Sequence, residues 1–387
     1  MNSGQENKKN NSTNNYLSVL NEIKKVNNLK PEDILSILDG AKSQFPTIAP
    51  ELESQRKIAG DKTRSLEERL EAFEDIIDSE IGDTNLTRAR NIEREFGLRQ
   101  IFLKFEGTTP TGTQKDRIAF AQVMDALRRG YDTVTVATCG NYGAAISLAC
   151  SIAGLNCEIY IPEGYHTSRI KEIEDNGAKI IRIPGDYENS VKISQEMAEK
   201  KDYYDANAGG ENTMIQFRAY GEIAYEIYDE LRDAPAGIAM PVSNGTTLAG
   251  IYKGFVSLYR RGKTSKIPRL IAGSSFGKNP IIQAFLKNLP ACEDLSPEKI
   301  HETSINEPLI NWRSIDGDYA LEAIRESGGW GSYASDKNML AFSKILRERE
   351  GLSVLPASTA GLIALLEKHK KDQLPNDRYV VILTGRK

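Results

Sequence analysis

The sequence predicts an α/β fold of mostly parallel sheets covered by helices on both faces. Short apolar runs rich in β-branched residues alternate with helix-length amphipathic segments from about residue 81 to the C-terminus. Glycine-bearing loops repeatedly follow the strands and lead into helices. Strands buried on both faces read as continuous apolar runs, and crossover helices are what join parallel neighbours. At 387 residues the chain can bury a large core and is expected to form more than one domain.

Residues 1–15 are rich in Asn, Lys and Ser and are expected to be disordered. Helical stretches are expected over Leu17–Val26, from Pro31 through Leu38, and over Leu66–Ile77, so that residues 1–79 form a leader and a helical extension. No chemistry is evident in this extension, and a helical cap or an oligomer contact is its simplest role. The alternating strands and helices are expected to span 80–387.

Within that part, Ile101–Phe105 reads as a strand, followed by a loop and a helix reaching Arg129. Thr133–Ala137 is a second strand, then a turn at Thr138–Gly143 and a small-residue helix over Ala144–Ala153. Glu158–Pro162 and Lys179–Ile183 are two more strands, with a helix through Ile173 between them. Gly237–Val242, Leu270–Gly273 and Tyr379–Leu383 complete the set.

Composition narrows the class of function. A net charge of -4 and a hydrophobic fraction of 40% fit a globular protein without a nucleic-acid or membrane-surface footprint. No apolar run reaches bilayer length, and Met1–Asn15 lacks the apolar core of a signal peptide. Cys139, Cys150, Cys157 and Cys292 show no metal-ligand spacing, so no metal is expected. Free thiols point to a reducing, cytoplasmic setting.

Three strand-to-helix loops and one lysine carry the chemistry. Lys115 lies in Pro110-Thr111-Gly112-Thr113-Gln114-Lys115-Asp116-Arg117, where a loop becomes a helix. A neutral lysine amine attacks carbonyls and forms Schiff bases, including with pyridoxal 5'-phosphate. A solvated lysine in a first helical turn is the plainer alternative. In Thr138-Cys139-Gly140-Asn141-Tyr142-Gly143 two glycines permit close ligand approach, and the following helix N-terminus favours an anion such as a carboxylate. Cys139 has no local histidine partner for nucleophilic catalysis. Ser243-Asn244-Gly245-Thr246-Thr247 offers backbone amides, two hydroxyls and a helix dipole, which suits a phosphate monoester. It lacks the lysine ending of a nucleoside-triphosphate loop and the spaced glycines of a dinucleotide fingerprint. The terminal strand delivers Thr384 to the ligand edge of the sheet, where a hydroxyl facing a pyridine nitrogen would leave that nitrogen largely unprotonated.

In this order the motifs resemble the fold-type II pyridoxal-phosphate enzymes, the tryptophan synthase β superfamily, and within it the threonine synthases. Gly82-Asp83-Thr84-Asn85-Leu86-Thr87-Arg88-Ala89 is similar to the opening Gly-x-Thr-Pro-Leu-x-Arg-Ala of that family, and Pro110–Arg117 to its Pro-Thr-Gly-Ser-Phe-Lys-Asp-Arg. Ile251–Phe255 resembles the stretch after its phosphate loop, and Pro356–Ala360 its late Pro-Ala-Ser segment. The resemblance spans roughly residues 80–387. It implies a two-domain catalytic core over 80–387, in which a smaller mobile subdomain at about 120–185 closes over the substrate, with pyridoxal 5'-phosphate as cofactor. Lys115 becomes the Schiff-base lysine and proton shuttle, Asn141 the partner of the ring hydroxyl oxygen, and Thr384 the partner of the pyridine nitrogen. Ser243, Asn244, Gly245, Thr246 and Thr247 become the phosphate cup. Thr113, Thr138, Cys139, Gly140 and Tyr142 become the lining around the substrate and its carboxylate. A homodimer is also implied.

The chain departs from the family pattern around the site. Asn85 replaces a proline, Gln114 replaces a bulky apolar residue, and the cup is not Gly-Asn-Ala-Gly-Asn. Leu355 stands where an acid often precedes Pro-Ala-Ser, and no His-Gly follows Thr384. The implied reaction is loss of phosphate from O-phosphohomoserine and addition of water to give threonine. β-Replacement or β-elimination on O-phosphoserine, serine or threonine is the alternative, and a non-catalytic binding protein on the same fold is a third. The expected partner is a small amino acid, phosphorylated on its side chain in the first of these readings.

Overall fold

A computed structural model describes residues 48–138, 140–165 and 167–387, of which Glu51–Lys387 form one compact unit. Cys139 and the helical stretches expected before residue 40 lie outside the described residues.

Two helices lead in, α1 (Glu53–Gly60) and α2 (Leu66–Glu80). Ser65 starts α2 with a reciprocal capping box: its hydroxyl accepts the Glu68 N–H, and the Glu68 carboxylate accepts the Ser65 N–H. The main elements follow as β1 (Leu86–Arg88), α3 (Arg90–Phe96), β2 (Ile101–Phe105), α4 (Lys115–Arg128), β3 (Thr133–Ala137), α5 (Asn141–Ala153) and β4 (Asn156–Pro162). Next come α6 (Ile170–Asp175), β5 (Lys179–Ile183), α7 (Tyr187–Lys201), β6 (Tyr204–Asp205), α8 (Thr213–Leu231), β7 (Gly237–Pro241) and α9 (Thr246–Arg260). The chain ends with β8 (Arg269–Ser275), α10 (Pro280–Leu286), α11 (Gly317–Glu326), β9 (Trp330–Ala334), α12 (Asp336–Glu350), α13 (Ala360–Asp372) and β10 (Tyr379–Leu383).

The strands form two sheets. One has six strands in the order β1-β2-β10-β7-β8-β9, all parallel except the β1–β2 pair. The other has four parallel strands in the order β5-β4-β3-β6. The α/β architecture of two mostly parallel sheets therefore holds. Every residue of β3, β7 and β10 is buried, the pattern of strands covered on both faces.

Close helix packing sets where the loops sit. Helices α8 and α9 meet through Gly221, Gly250 and Gly254; a Cβ on Gly250 would fall 2.7 Å from the Phe217 carbonyl oxygen, and one on Gly254 2.6 Å from that of Gly221. On the strand side, a Cβ on Gly361 of α13 would fall 2.4 Å from the Met240 nitrogen of β7. Side chains there would push the helix off the sheet. The lead-in helices cover the flank of the smaller sheet: Phe73 stacks on Phe120 with centroids 5.6 Å apart, and the Arg69 guanidinium donates to the Ala153 carbonyl at 2.7 Å.

Candidate active site

The carboxyl ends of β3, β7 and β10 open onto one cavity of about 510 Å³. Thr113, Lys115, Thr138, Gly140, Asn141, Tyr142, all five residues from Ser243 to Thr247, and Thr384 line it. Among the described residues, every sequence-predicted site position thus converges on this space, which is where parallel sheets present ligand sites.

Lys115 is the first residue of α4, one position later in the loop-to-helix passage than its neighbour Gln114, the N-cap. Its Nζ lies 5.7 Å from the centre of the Tyr142 ring. The Tyr142 hydroxyl turns away, donating to the Ala206 carbonyl at 2.9 Å, so the ring is what faces the cavity. The helix of the asparagine loop starts at Asn141, earlier than the expected Ala144, which puts Asn141 and Tyr142 in its first turn. Asn141 Oδ1 accepts a hydrogen bond from Arg169 at 2.8 Å.

At the second loop, Gly245 has φ +96°, and a Cβ there would sit 2.8 Å from the Asp316 carbonyl oxygen and 2.9 Å from the Ala320 Cβ. Only glycine lets this turn lie flat against the start of α11. Helix α9 begins at Thr246, so its first N–H groups and dipole face the cavity. Gln114 Nε2 donates to Thr247 Oγ1 at 3.2 Å, which leaves the Thr247 hydroxyl proton for another acceptor. Gln114 Oε1 is buried without a partner. Thr246 Oγ1 instead donates to Asp316 Oδ2 at 2.6 Å. Burial raises the Asp316 carboxyl to about 6, against the lowering pull of the Thr246 hydroxyl and of the Lys115 charge.

A segment that sequence reasoning did not assign forms the far wall. The stretch between α10 and α11 brings Pro297, Ile300, Glu302, Glu307 and Asn311 to the cavity. Asn311 donates to Asn244 Oδ1 at 3.1 Å, Asn279 donates to the Ser243 carbonyl at 3.0 Å, and Ser314 Oγ donates to the same carbonyl at 3.1 Å. The cup is therefore built from behind by residues 35 or more positions away in the chain. No local pattern could have announced these partners. At the opposite end, Ser358 Oγ accepts the Thr384 N–H at 2.5 Å and lies 3.2 Å from the Thr384 hydroxyl. This gives the Pro-Ala-Ser segment a structural task.

The donor set fits pyridoxal 5'-phosphate: a glycine turn and helix N-terminus for a phosphate, a lysine in the same cavity, an amide at Asn141 and a hydroxyl at Thr384.

Residues 77–385 match the family model described as "Pyridoxal-phosphate dependent enzyme". The chain is 32% identical to the threonine synthase of Methanocaldococcus jannaschii over 311 residues, covering 79% of this chain and 74% of that one. It is 31% identical to the threonine synthase of Mycobacterium bovis over 288 residues, covering 74% and 76%. In structure it resembles maize serine racemase (TM-score 0.65, 19% identity, 82% of this chain and 93% of the other). A pyridoxal 5'-phosphate-dependent aspartate racemase matches with TM-score 0.67 and 18% identity, over 82% and 94%. At such identities these two likenesses speak to the fold. The chain belongs to the pyridoxal-phosphate dependent enzymes, with pyridoxal 5'-phosphate as its cofactor, and is a lyase similar to the threonine synthases.

Proposed function

We propose that the enzyme removes the α-proton of a small amino acid, expels a leaving group from its side chain and adds a nucleophile, in the manner of threonine synthase. The observation that carries this reading is the meeting of Lys115, the Ser243–Thr247 turn, Asn141 and Thr384 in one cavity. The bound cofactor supplies an electron sink for the charge released at the substrate α-carbon. Ser243, Asn244, Gly245, Thr246 and Thr247 hold its phosphate, and Asn141 and Thr384 fix its ring. Lys115 carries the cofactor at rest and then moves the proton at the α-carbon. The first turn of α5, with Thr138, Cys139 and Gly140, receives the substrate carboxylate, and Thr113 and the Tyr142 ring shape the space beside Lys115. The smaller sheet, around residues 120–185, acts as the mobile part that closes the site against water. A homodimer in the cytoplasm completes the reading, and the mass in solution tests the first half of that statement.

Two substrates compete. The relatives named threonine synthase favour threonine as product, which the sequence resemblance derives from O-phosphohomoserine with water as nucleophile. One feature of the cavity favours β-replacement or β-elimination of an amino acid without a side-chain phosphate. Asp186, Glu188, Glu302 and Glu307 line the wall, and Lys115 is the one Lys or Arg among the described lining residues. Burial raises the Glu188 carboxyl to about 7, and burial likewise raises that of Glu307, which accepts from the Tyr165 hydroxyl at 2.5 Å. As these carboxyls ionise, above about pH 7 for Glu188, a phosphate dianion against such a wall meets charge repulsion with few cations to offset it. The deciding assay offers O-phosphohomoserine, O-phosphoserine, serine and threonine to the reconstituted enzyme and follows phosphate, keto acid and amino-acid products. Threonine from the first substrate establishes the synthase. Turnover confined to the others assigns replacement or elimination.

The cup also predicts a pH effect. An ionised Asp316 ties up the Thr246 hydroxyl and repels the cofactor phosphate, and its carboxyl titrates near 6 in the folded protein. Repulsion therefore grows as pH rises through 6. Asp316→Asn is expected to bind the cofactor several-fold tighter at pH 8, roughly 1 kcal/mol, with the advantage shrinking below pH 6. Titration of the apoenzyme at the two pH values checks this.

A further inference from the structure

Arg169 stands outside the predicted site and does not line the cavity, yet it touches two of the loops that shape it. It sits just before α6, with 18% of its side chain exposed. Nε and one terminal nitrogen fork onto the Glu172 carboxylate at 2.8 and 2.7 Å. The other terminal nitrogen donates to Asn141 Oδ1 at 2.8 Å, and NH2 also donates to the Thr111 carbonyl at 2.9 Å. Four of its five N–H bonds are thereby directed.

Two consequences follow from donor chemistry. A guanidinium only donates, so the Asn141 atom facing it must be the amide oxygen. The Asn141 amide nitrogen is then left as a donor for the cavity that Asn141 lines. The Thr111 contact reaches the other sheet. Thr111 follows β2 and opens the turn that carries Lys115, and its own N–H and hydroxyl are held by the Asp116 carboxylate at 2.9 and 2.7 Å. Arg169 therefore joins the smaller sheet, through α5 and α6, to the lysine turn of the larger one.

We propose that Arg169 is a positioning residue of the active site: braced by Glu172, it turns the Asn141 amide nitrogen toward the cofactor ring and ties it in register with the turn bearing Lys115. The inference rests on the assignment of Asn141 as a ring partner. A lysine could supply the charge here but not the planar fork that reaches three partners at fixed angles.

The test titrates apoenzyme with pyridoxal 5'-phosphate and reads the dissociation constant and the absorbance maximum of the bound cofactor. The proteins are Arg169→Ala, Arg169→Lys, Glu172→Gln, Asn141→Ala and the Arg169→Ala/Asn141→Ala double variant, with urea midpoints to confirm folding. Arg169→Ala is expected to weaken cofactor binding roughly ten-fold and to shift the absorbance maximum. Arg169→Lys should recover little of this, and Glu172→Gln, which keeps the arginine but loosens its brace, should fall between. In the Asn141→Ala background the added loss should shrink to below about two-fold, because the group through which Arg169 acts is gone. An equal loss in both backgrounds, or full recovery with lysine, overturns the proposal in favour of a charge or stability effect. If Asn141→Ala alone binds the cofactor with unchanged affinity and absorbance, the assignment of Asn141 fails and the proposal with it, whatever the Arg169 variants do.

Discussion

Lys115→Ala is expected to lower turnover by at least about 10³-fold while leaving the fold in place. The side chain faces the cavity from the first turn of α4, and helix packing there is carried by Ile118, Phe120 and Val123 on the buried side. Alanine is a good helix former, so stability should change by less than about 0.5 kcal/mol. Steady-state rates on whichever substrate proves active give the first readout. Borohydride treatment gives the second: cofactor mass should become fixed to the wild-type chain at Lys115 and not to the variant. Turnover retained by Lys115→Ala would sink the mechanism, because no other described lysine lines the cavity.

The largest effect on stability is expected two residues later. Arg117 is 4% exposed and grips the buried Glu106 and the largely buried Glu226: Nε donates to Glu106 at 2.6 Å and NH1 to Glu226 at 2.6 Å. Lys104, 1% exposed, pairs with Glu226 at 2.5 Å, and Thr84 Oγ1 donates to Glu106 at 2.7 Å. Two cations thus balance two carboxylates. Arg117→Met leaves both acids with Lys104 alone, and breaking a buried pair from one side costs about 3–5 kcal/mol. Urea unfolding at neutral pH should show that loss, and the double variant Arg117→Met/Glu106→Gln should recover part of it. The pH dependence has a definite sign. Burial pushes the Glu226 carboxyl up, but hydrogen bonds and charge from Arg117 and Lys104 outweigh this and hold it at about 2, below its ordinary 4.5. Its contribution is complete above pH 4.5 and fades as pH falls toward 2. The gap between wild type and Arg117→Met should therefore narrow on acidification across that window. A gap of constant size would place the network's energy elsewhere.

That network also explains a motif. The opening Gly82-Asp83-Thr84 reads as a family signature, but its work here is structural. Thr84 closes the ion cluster beneath α4, and Gly82, at φ +114°, would place a Cβ 3.1 Å from Glu226 Oε1. Through Arg117 the segment sets the start of the helix that presents Lys115.

Much of the site was legible because it is written locally. Strand, glycine turn and helix start are short-range features, so Lys115, Asn141, Ser243–Thr247 and Thr384 could each be placed at the carboxyl end of a strand. Boundaries were less legible. Strand β8 runs from Arg269 to Ser275 where only Leu270–Gly273 was expected, and α5 begins at Asn141. In both cases pairing or packing extends an element past the residues whose own pattern declares it. Strands β1, β6 and β9 are too short or too mixed in composition to declare themselves, and they exist because a neighbour completes their hydrogen bonds.

The sequence by itself determined the fold class and, through its resemblance to a known family, the cofactor, and it singled out Lys115 as the candidate Schiff-base residue, since periodicity, turn chemistry and motif order are properties of contiguous residues. The tertiary structure alone decided what surrounds them. It set Asp316 against Thr246, Ser358 against Thr384, Arg169 between Asn141 and Thr111, and four carboxylates along the cavity. These contacts join residues from 26 to 70 positions apart, and directed bonds at such separations depend on how the sheets and helices pack.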